Sequence, residues 1–409
     1  MSGIFVNIGS LQRYGGRIGS LSRRIVNQVS AGLSLNGAAI TDLTAAIGLT
    51  SNSTITGGGG QTYILSGVIS GGFSLTFSLD PGTTVILTAA NTWSGGCTIN
   101  SGTVQVGNGG TVGSIASAPT VNAGGTLAYF RSDGAGNPTV SGAGTVSLLG
   151  TGVTNQGAYV WSNANTGFTG SLIIGGGSRL RPLNASALGS AAVTVQSGAQ
   201  LYLSQGYTLS NNLTLAGTGW NADGIGAIRF QNTGNVMTGT VTLSGNTLIG
   251  NEGAGIISGV ISGAFNLEKN GTNTLTLSGV NTYSGTTTIS AGTLAATGSS
   301  NNSAHSIGGS AGISAGTTTT GSVDGLTFAA ATSVLTVNPI TTSSASKLTC
   351  AALTAASGFR VNVSGAMNAG TYPILVSSSG TPTPTLGTNS SGRTVSFSWS
   401  GQTLNMTLV

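Results

Sequence analysis

Charge is what this 409-residue chain lacks most: it has 12 Lys and Arg, 7 Asp and Glu, and charged residues make up 5% of the total. About a quarter is usual in a soluble globular domain. A net charge of +5 spread so thinly excludes the broad basic surface of a nucleic-acid binder. Disorder is excluded on other grounds. Disordered chains are charged and poor in apolar residues, whereas this one is 38% hydrophobic with a mean hydropathy of +0.28. Long apolar runs are missing as well. Gly, Ser, Thr and Asn interrupt each one well before the roughly 18 residues of a membrane span, so none is expected. Cysteine is reduced to Cys97 and Cys350, whose wide separation suggests neither a disulfide framework nor a zinc site and predicts two buried thiols.

Glycine is abundant instead. Seventy residues of it make an ordinary α/β enzyme improbable, and without a strict Gly-X-Y period the chain is not collagen. The composition is that of a chain of short strands and many turns.

Three segments differ in character. Residues 1–50 hold four of the twelve basic residues, Arg13, Arg17, Arg23 and Arg24. Apolar positions at Leu11, Tyr14, Ile18, Leu21, Ile25 and Leu35 follow the three-and-four spacing of a short coiled-coil seam, although Gly15, Gly16 and Gly19 weaken an isolated helix. The alanine-rich stretch from Ala38 to Ile47 predicts a second short helix. A flexible basic tail and an attachment or trimerisation element both fit; the second reading assigns docking to Leu11, Arg13, Arg17, Ile18, Leu21, Arg23, Arg24 and Ile25. Residues 51–330 read as short strands bounded by Gly, Asn, Ser or Asp, among them Thr83 to Leu87, Ser171 to Ile174, Ala192 to Val195, Asn212 to Leu215 and Thr240 to Leu243. Residues 331–409 carry Pro373, Pro382 and Pro384 among alternating segments, which predicts an antiparallel cap over the last coil, with or without a receptor-binding tip.

Internal repetition decides the architecture. VILTAANTWSGGCTINSGTVQVG, 85–107, aligns without gaps onto LTLSGVNTYSGTTTISAGTLAAT, 275–297, and SGVISGGFSL at 66–75 matches SGVISGAFNL at 258–267. A degenerate copy, NTGFTGSLIIGGGSRL, starts at Asn165. Alternation within each copy puts Leu275 and Leu277 on one side and Thr276 and Ser278 on the other. The predicted fold is therefore all-β, a solenoid with coils of about 20 residues stabilised by stacking. Asn91, Gly95 and Gly102, with their equivalents Asn281, Gly285 and Gly292, mark its corners. Trp93 and Tyr283 occupy matching positions, either stacking in a ladder or offering an aromatic face to carbohydrate.

The stretch from Val193 to Gly298, beginning VTVQSGAQLYLSQGYTLSNNLTLAGTGW, resembles the autotransporter-associated, or passenger-associated, β-strand repeat, with a looser likeness from Ser66 to Gly107. The resemblance implies a right-handed parallel β-helix. It implies little about function.

Such folds often carry polysaccharide-cleaving enzymes, and glycoside hydrolysis needs carboxyl groups that converge. Asp223, Glu252 and Glu268 are separated in sequence by intervals that match no multiple of a coil of about 20 residues, so they are not expected to meet. Asp80 lies in an Asp-Pro-Gly turn. Glu268 and Lys269 read as a solvated corner and His305 as an exposed loop histidine. The glycine clusters at 57–60 and 175–177 lack a following Lys-Ser/Thr and are not phosphate loops. No catalytic residue, cofactor or metal is expected.

The amino terminus, MSGIFVNIGSLQRYGGRIGS, has no continuous apolar stretch and no small-residue cleavage site, which predicts a chain outside the usual secretory route. With an uncharged rod, this favours a non-enzymatic structural virion protein, a phage fibre, spike or surface decoration. Expected partners are further copies of the chain as a trimer, capsid or tail proteins, and a host-surface glycan or receptor. The alternatives are a bacterial cell-surface adhesin or autotransporter-like passenger, and a glycan-cleaving tailspike.

Overall fold

The computed structural model describes residues 27–29, 32–35, 42–136, 139–150, 158–220, 223–317, 320–355 and 358–409. Among these residues every regular element is a β-strand, and no helix is long and apolar enough to cross a membrane. The chain divides into two units, Met1–Thr194 and Val195–Val409.

In the first unit, short strands stack in parallel, coil upon coil. One row runs from Gly32–Leu35 through Ser53–Gly57 and Leu75–Leu79 to Cys97–Val106 and Pro119–Phe130. A second passes from Asp42–Leu43 through Thr62–Leu65 and Thr84–Leu87 into the far half of Cys97–Val106. Asn27–Val29, Ile47–Leu49 and Ile69–Ser70 form a third. Along the first of these rows the strands start at a constant interval. Ser53 faces Leu75, Leu75 faces Cys97 and Cys97 faces Pro119, the same interval that separates the hydrogen-bonded Ile69 and Asn91.

The period of two decides what lies inside. Leu75, Phe77 and Leu79 are buried, and Thr76 and Ser78 between them are half-exposed. Each such apolar side chain contributes about 1.5–3 kcal/mol when fully buried, a gain a single coil cannot realise without neighbours above and below. The outward positions stay in register too, placing Thr54, Thr76, Thr98 and Thr120 in one column. β-branched residues suit such a pleated, half-covered surface.

The helix predicted from Ala38 to Ile47 is not formed where the chain is described, for Asp42–Leu43 and Ile47–Leu49 are strands. Leu35, placed on a helical seam by its spacing, instead alternates with Ser34 in a strand and faces the core. Parallel neighbours satisfy the backbone and bury every second side chain, and this packing overrides the weak helical preference of the alanines. Residues 36–41 lie outside the described residues.

The second unit is also a parallel solenoid. One sheet stacks nine strands, from Thr208–Leu209 and Asn235–Met237 to Phe359–Val363 and Pro384–Asn389, all parallel. Coil length varies along it. The coil is long where Leu213 faces Val241, shorter where Leu267 faces Thr287, and shortest where Thr287 faces His305. Near the end of the unit Phe328 and Phe359 stack inside with ring centroids 4.2 Å apart.

Antiparallel strands close the chain as expected. Thr403–Leu408 pairs antiparallel with both Gly370–Ser377 and Val395–Ser400. Phe359–Val363, one of the alternating segments of 331–409 expected in an antiparallel cap, instead continues the parallel sheet against Val334–Val337. Its buried Phe359, Val361 and Val363 extend the core column, which an antiparallel turn would have broken.

Candidate functional site

Corner asparagines recur as a structural device. The Asn91 Oδ1 accepts the backbone N–H of Ile69 at 2.8 Å, one coil back, and its Nδ2 donates to the Ser114 carbonyl at 2.8 Å, one coil on. Asn281 accepts from Ile261 N–H at 2.9 Å and donates to the Gly279 carbonyl at 3.1 Å. In the degenerate copy, Asn165 accepts from Val140 N–H at 2.8 Å and donates to the Ala187 carbonyl at 2.7 Å. All three are buried. A chain turning at a corner strands backbone groups that no strand can pair, and the amide supplies a donor and an acceptor at once.

The glycines of the same block serve two different needs. A Cβ on Gly95 would lie 2.1 Å from the carbonyl carbon of Phe73, and one on Gly285 would lie 2.1 Å from the carbonyl oxygen of Phe265. Here the backbones of successive coils touch. Gly102 and Gly292 instead hold φ of 72° and 63°, a left-handed conformation that L side chains rarely adopt. Trp93 and Tyr283 are both fully buried, so neither presents a face to carbohydrate. The Tyr283 hydroxyl bonds Thr287 Oγ1 at 2.7 Å, which bonds Ser303 Oγ at 2.9 Å.

Two residues expected in solvent are inside. His305 is 1% exposed and lies on the strand Ser299–Ile307, where Ser303, His305 and Ile307 alternate inward. Its Nδ1 sits 3.0 Å from the Ser303 carbonyl, and burial drives its pKa down to about 4. Lys269 is fully buried, with Nζ donating to the carbonyls of Asn270, Gly271 and Ala291 at 3.2, 2.8 and 2.9 Å. Burial lowers its pKa to about 8. In both cases the signal was the period of two: Leu267 faces inward, and so does Lys269 two positions on. Glu268 faces out and accepts from Ser290 Oγ at 2.6 Å. Cys97 and Cys350 are buried and free, as expected, and desolvation pushes the Cys97 thiol up to about 12.

Asp223 and Glu252 do converge. Their separation in sequence fits the long coils of this section, and both carboxylates meet Arg229: its Nη1 lies 3.2 Å from Asp223 Oδ2, its Nε 2.8 Å from Glu252 Oε2. The guanidinium also lies over the Tyr202 ring, 4.7 Å from its centroid. Arg229 thus bridges the two carboxylates, pairing with both. Among the described residues no group of three His, Cys, Asp or Glu stands ready to hold a metal ion.

The attachment candidates Leu11, Arg13, Arg17, Ile18, Leu21, Arg23, Arg24 and Ile25 lie outside the described residues.

The passenger-associated-transport-repeat family model matches this chain twice, at residues 82–106 and 267–296. Both matches fall on the block whose asparagine and glycine corners are described above. No curated protein sequence matches the chain. The chain is thus an all-β solenoid protein built in part from passenger-type repeats.

Proposed function

We propose that this protein is a non-enzymatic, adhesin-like surface protein of the passenger type, a β-solenoid that displays its outer faces at a bacterial cell surface. The observation that carries this is the coincidence of the two passenger-repeat matches with the coil corners. A passenger repeat supports the cell-surface reading over the phage appendage expected from the sequence. The commitment of both Asp223 and Glu252 to Arg229 supports a structural role over a glycan-cleaving one. Residues 1–26 hold the basic attachment segment in this reading, and self-association into a trimer accompanies it.

The test is adherence. Source cells lacking the chain are expected to lose adhesion to their natural surface and regain it on complementation. Unchanged adhesion would overturn the proposal.

A further inference from the structure

Three Asn-Gly pairs occur in the sequence, at 36–37, 108–109 and 270–271, and the last two lie among the described residues. Such a pair is especially open to attack by its own backbone on the asparagine amide, because glycine sets no Cβ beside the nitrogen and lets the chain turn freely. The two pairs hold that nitrogen differently. Gly109 N–H donates to the Phe130 carbonyl at 2.8 Å, one coil on, and this bond ties it to the next coil. Gly271 N–H donates instead to Oδ1 of Asn270 itself, at 2.7 Å. Cγ is one C=O bond from that oxygen, which keeps the Gly271 nitrogen within about 4 Å of it. An attacking arrangement needs roughly 3–3.5 Å.

A second feature acts on the same peptide. Lys269 Nζ donates at 3.2 Å to the Asn270 carbonyl, the oxygen of the very amide whose nitrogen would attack. Removing the Gly271 amide proton spreads negative charge onto this oxygen, and a fixed cationic donor there stabilises it. Bonds to the Gly271 and Ala291 carbonyls, at 2.8 and 2.9 Å, hold the donor in place. Water has access, since Asn270 ends the strand Leu267–Asn270 half-exposed, and Thr272 and Asn273 beyond it are exposed.

We propose that Asn270 is a self-modification site, converted through a cyclic imide with Gly271 and assisted by Lys269. Hydroxide takes the Gly271 amide proton and the nitrogen bonds to Asn270 Cγ. The Cγ–Nδ2 bond then breaks, and Nδ2 takes a proton from water and leaves as ammonia. A further water adds to either imide carbonyl and opens the ring, giving aspartate or its backbone-shifted isomer, isoaspartate. The new carboxylate stands next in the chain to an ammonium that, among the described residues, pairs with no carboxylate. The site stands on the geometry of this strand end and not on a surface role, so its failure is separable from a failure of the adherence test.

The experiment incubates the full native chain in mildly alkaline buffer and follows residues 108 and 270 by peptide mass spectrometry, with isoaspartate-specific methylation as a second readout. Asn270 is expected to convert at least about tenfold faster than Asn108 in the native chain, and at a comparable rate in denaturant, where both pairs sample the same conformations. Lys269→Met is expected to slow conversion of Asn270 about tenfold in the native chain and to leave it unchanged in denaturant. A merely loosened fold would speed it instead. Equal native rates at the two asparagines, or an unslowed Asn270 in a folded Lys269→Met variant, would overturn the proposal; if that variant does not fold, the comparison within the unaltered chain decides alone.

Discussion

At the scale of single residues, the core tolerates polar groups where the coil supplies partners. Replacing Asn281 by Ala leaves the Ile261 N–H buried and unpaired, and the cost is expected at about 1–3 kcal/mol, read as a lower denaturant midpoint; an unchanged midpoint would show that the corner does not depend on the amide. His305 adds a pH dependence. Its folded pKa, near 4, lies below the ordinary value of 6.5, so below pH 6.5 the unfolded chain takes up a proton that the folded chain refuses. Stability is therefore lost as pH falls from about 6.5 to about 4, by on the order of 3 kcal/mol in full. His305→Leu is expected to flatten this part of the stability profile; an identical slope in the variant would contradict the assignment. The identity of the corner asparagines was legible in the aligned copies. The burial of His305 and Lys269 was not, because polar side chains read as solvated until the phase of their strand is known.

At the scale of the element, the coil is a set of short strands joined by corners at which backbones touch. Gly95→Ala would drive a methyl into the Phe73 carbonyl and is expected to cost about 1–3 kcal/mol. Gly96→Ala meets nothing within 4 Å and serves as its control, with little effect on the same denaturation midpoint. Equal losses at both positions would refute the close-approach account. Strand positions were readable from the pattern of alternation: Ser171–Ile174 and Ala192–Val195 fall where it put them. Coil length was not. The uniform coil expected from the aligned copies holds where Leu267 faces Thr287, but the wider spacing from Leu213 to Val241 arises from longer corner excursions that no strand periodicity records. For this reason Asp223 and Glu252 meet at Arg229 against the reading from sequence spacing.

At the scale of the molecule, stability accumulates coil by coil, and the open ends are its exposed edges. The antiparallel strands Val395–Ser400 and Thr403–Leu408 finish the carboxy-terminal end. Removing residues 1–26 spares every described strand, so the shortened chain is expected to keep a β-rich circular dichroism spectrum and to lose surface attachment; retained attachment would remove the docking role from that segment. The central claim is that the solenoid is displayed at a cell surface. Immunogold labelling of intact source cells tests it most directly. Gold is expected on the outer face of the cells, and label confined to the cell interior or to purified virus particles would rule out display at the surface.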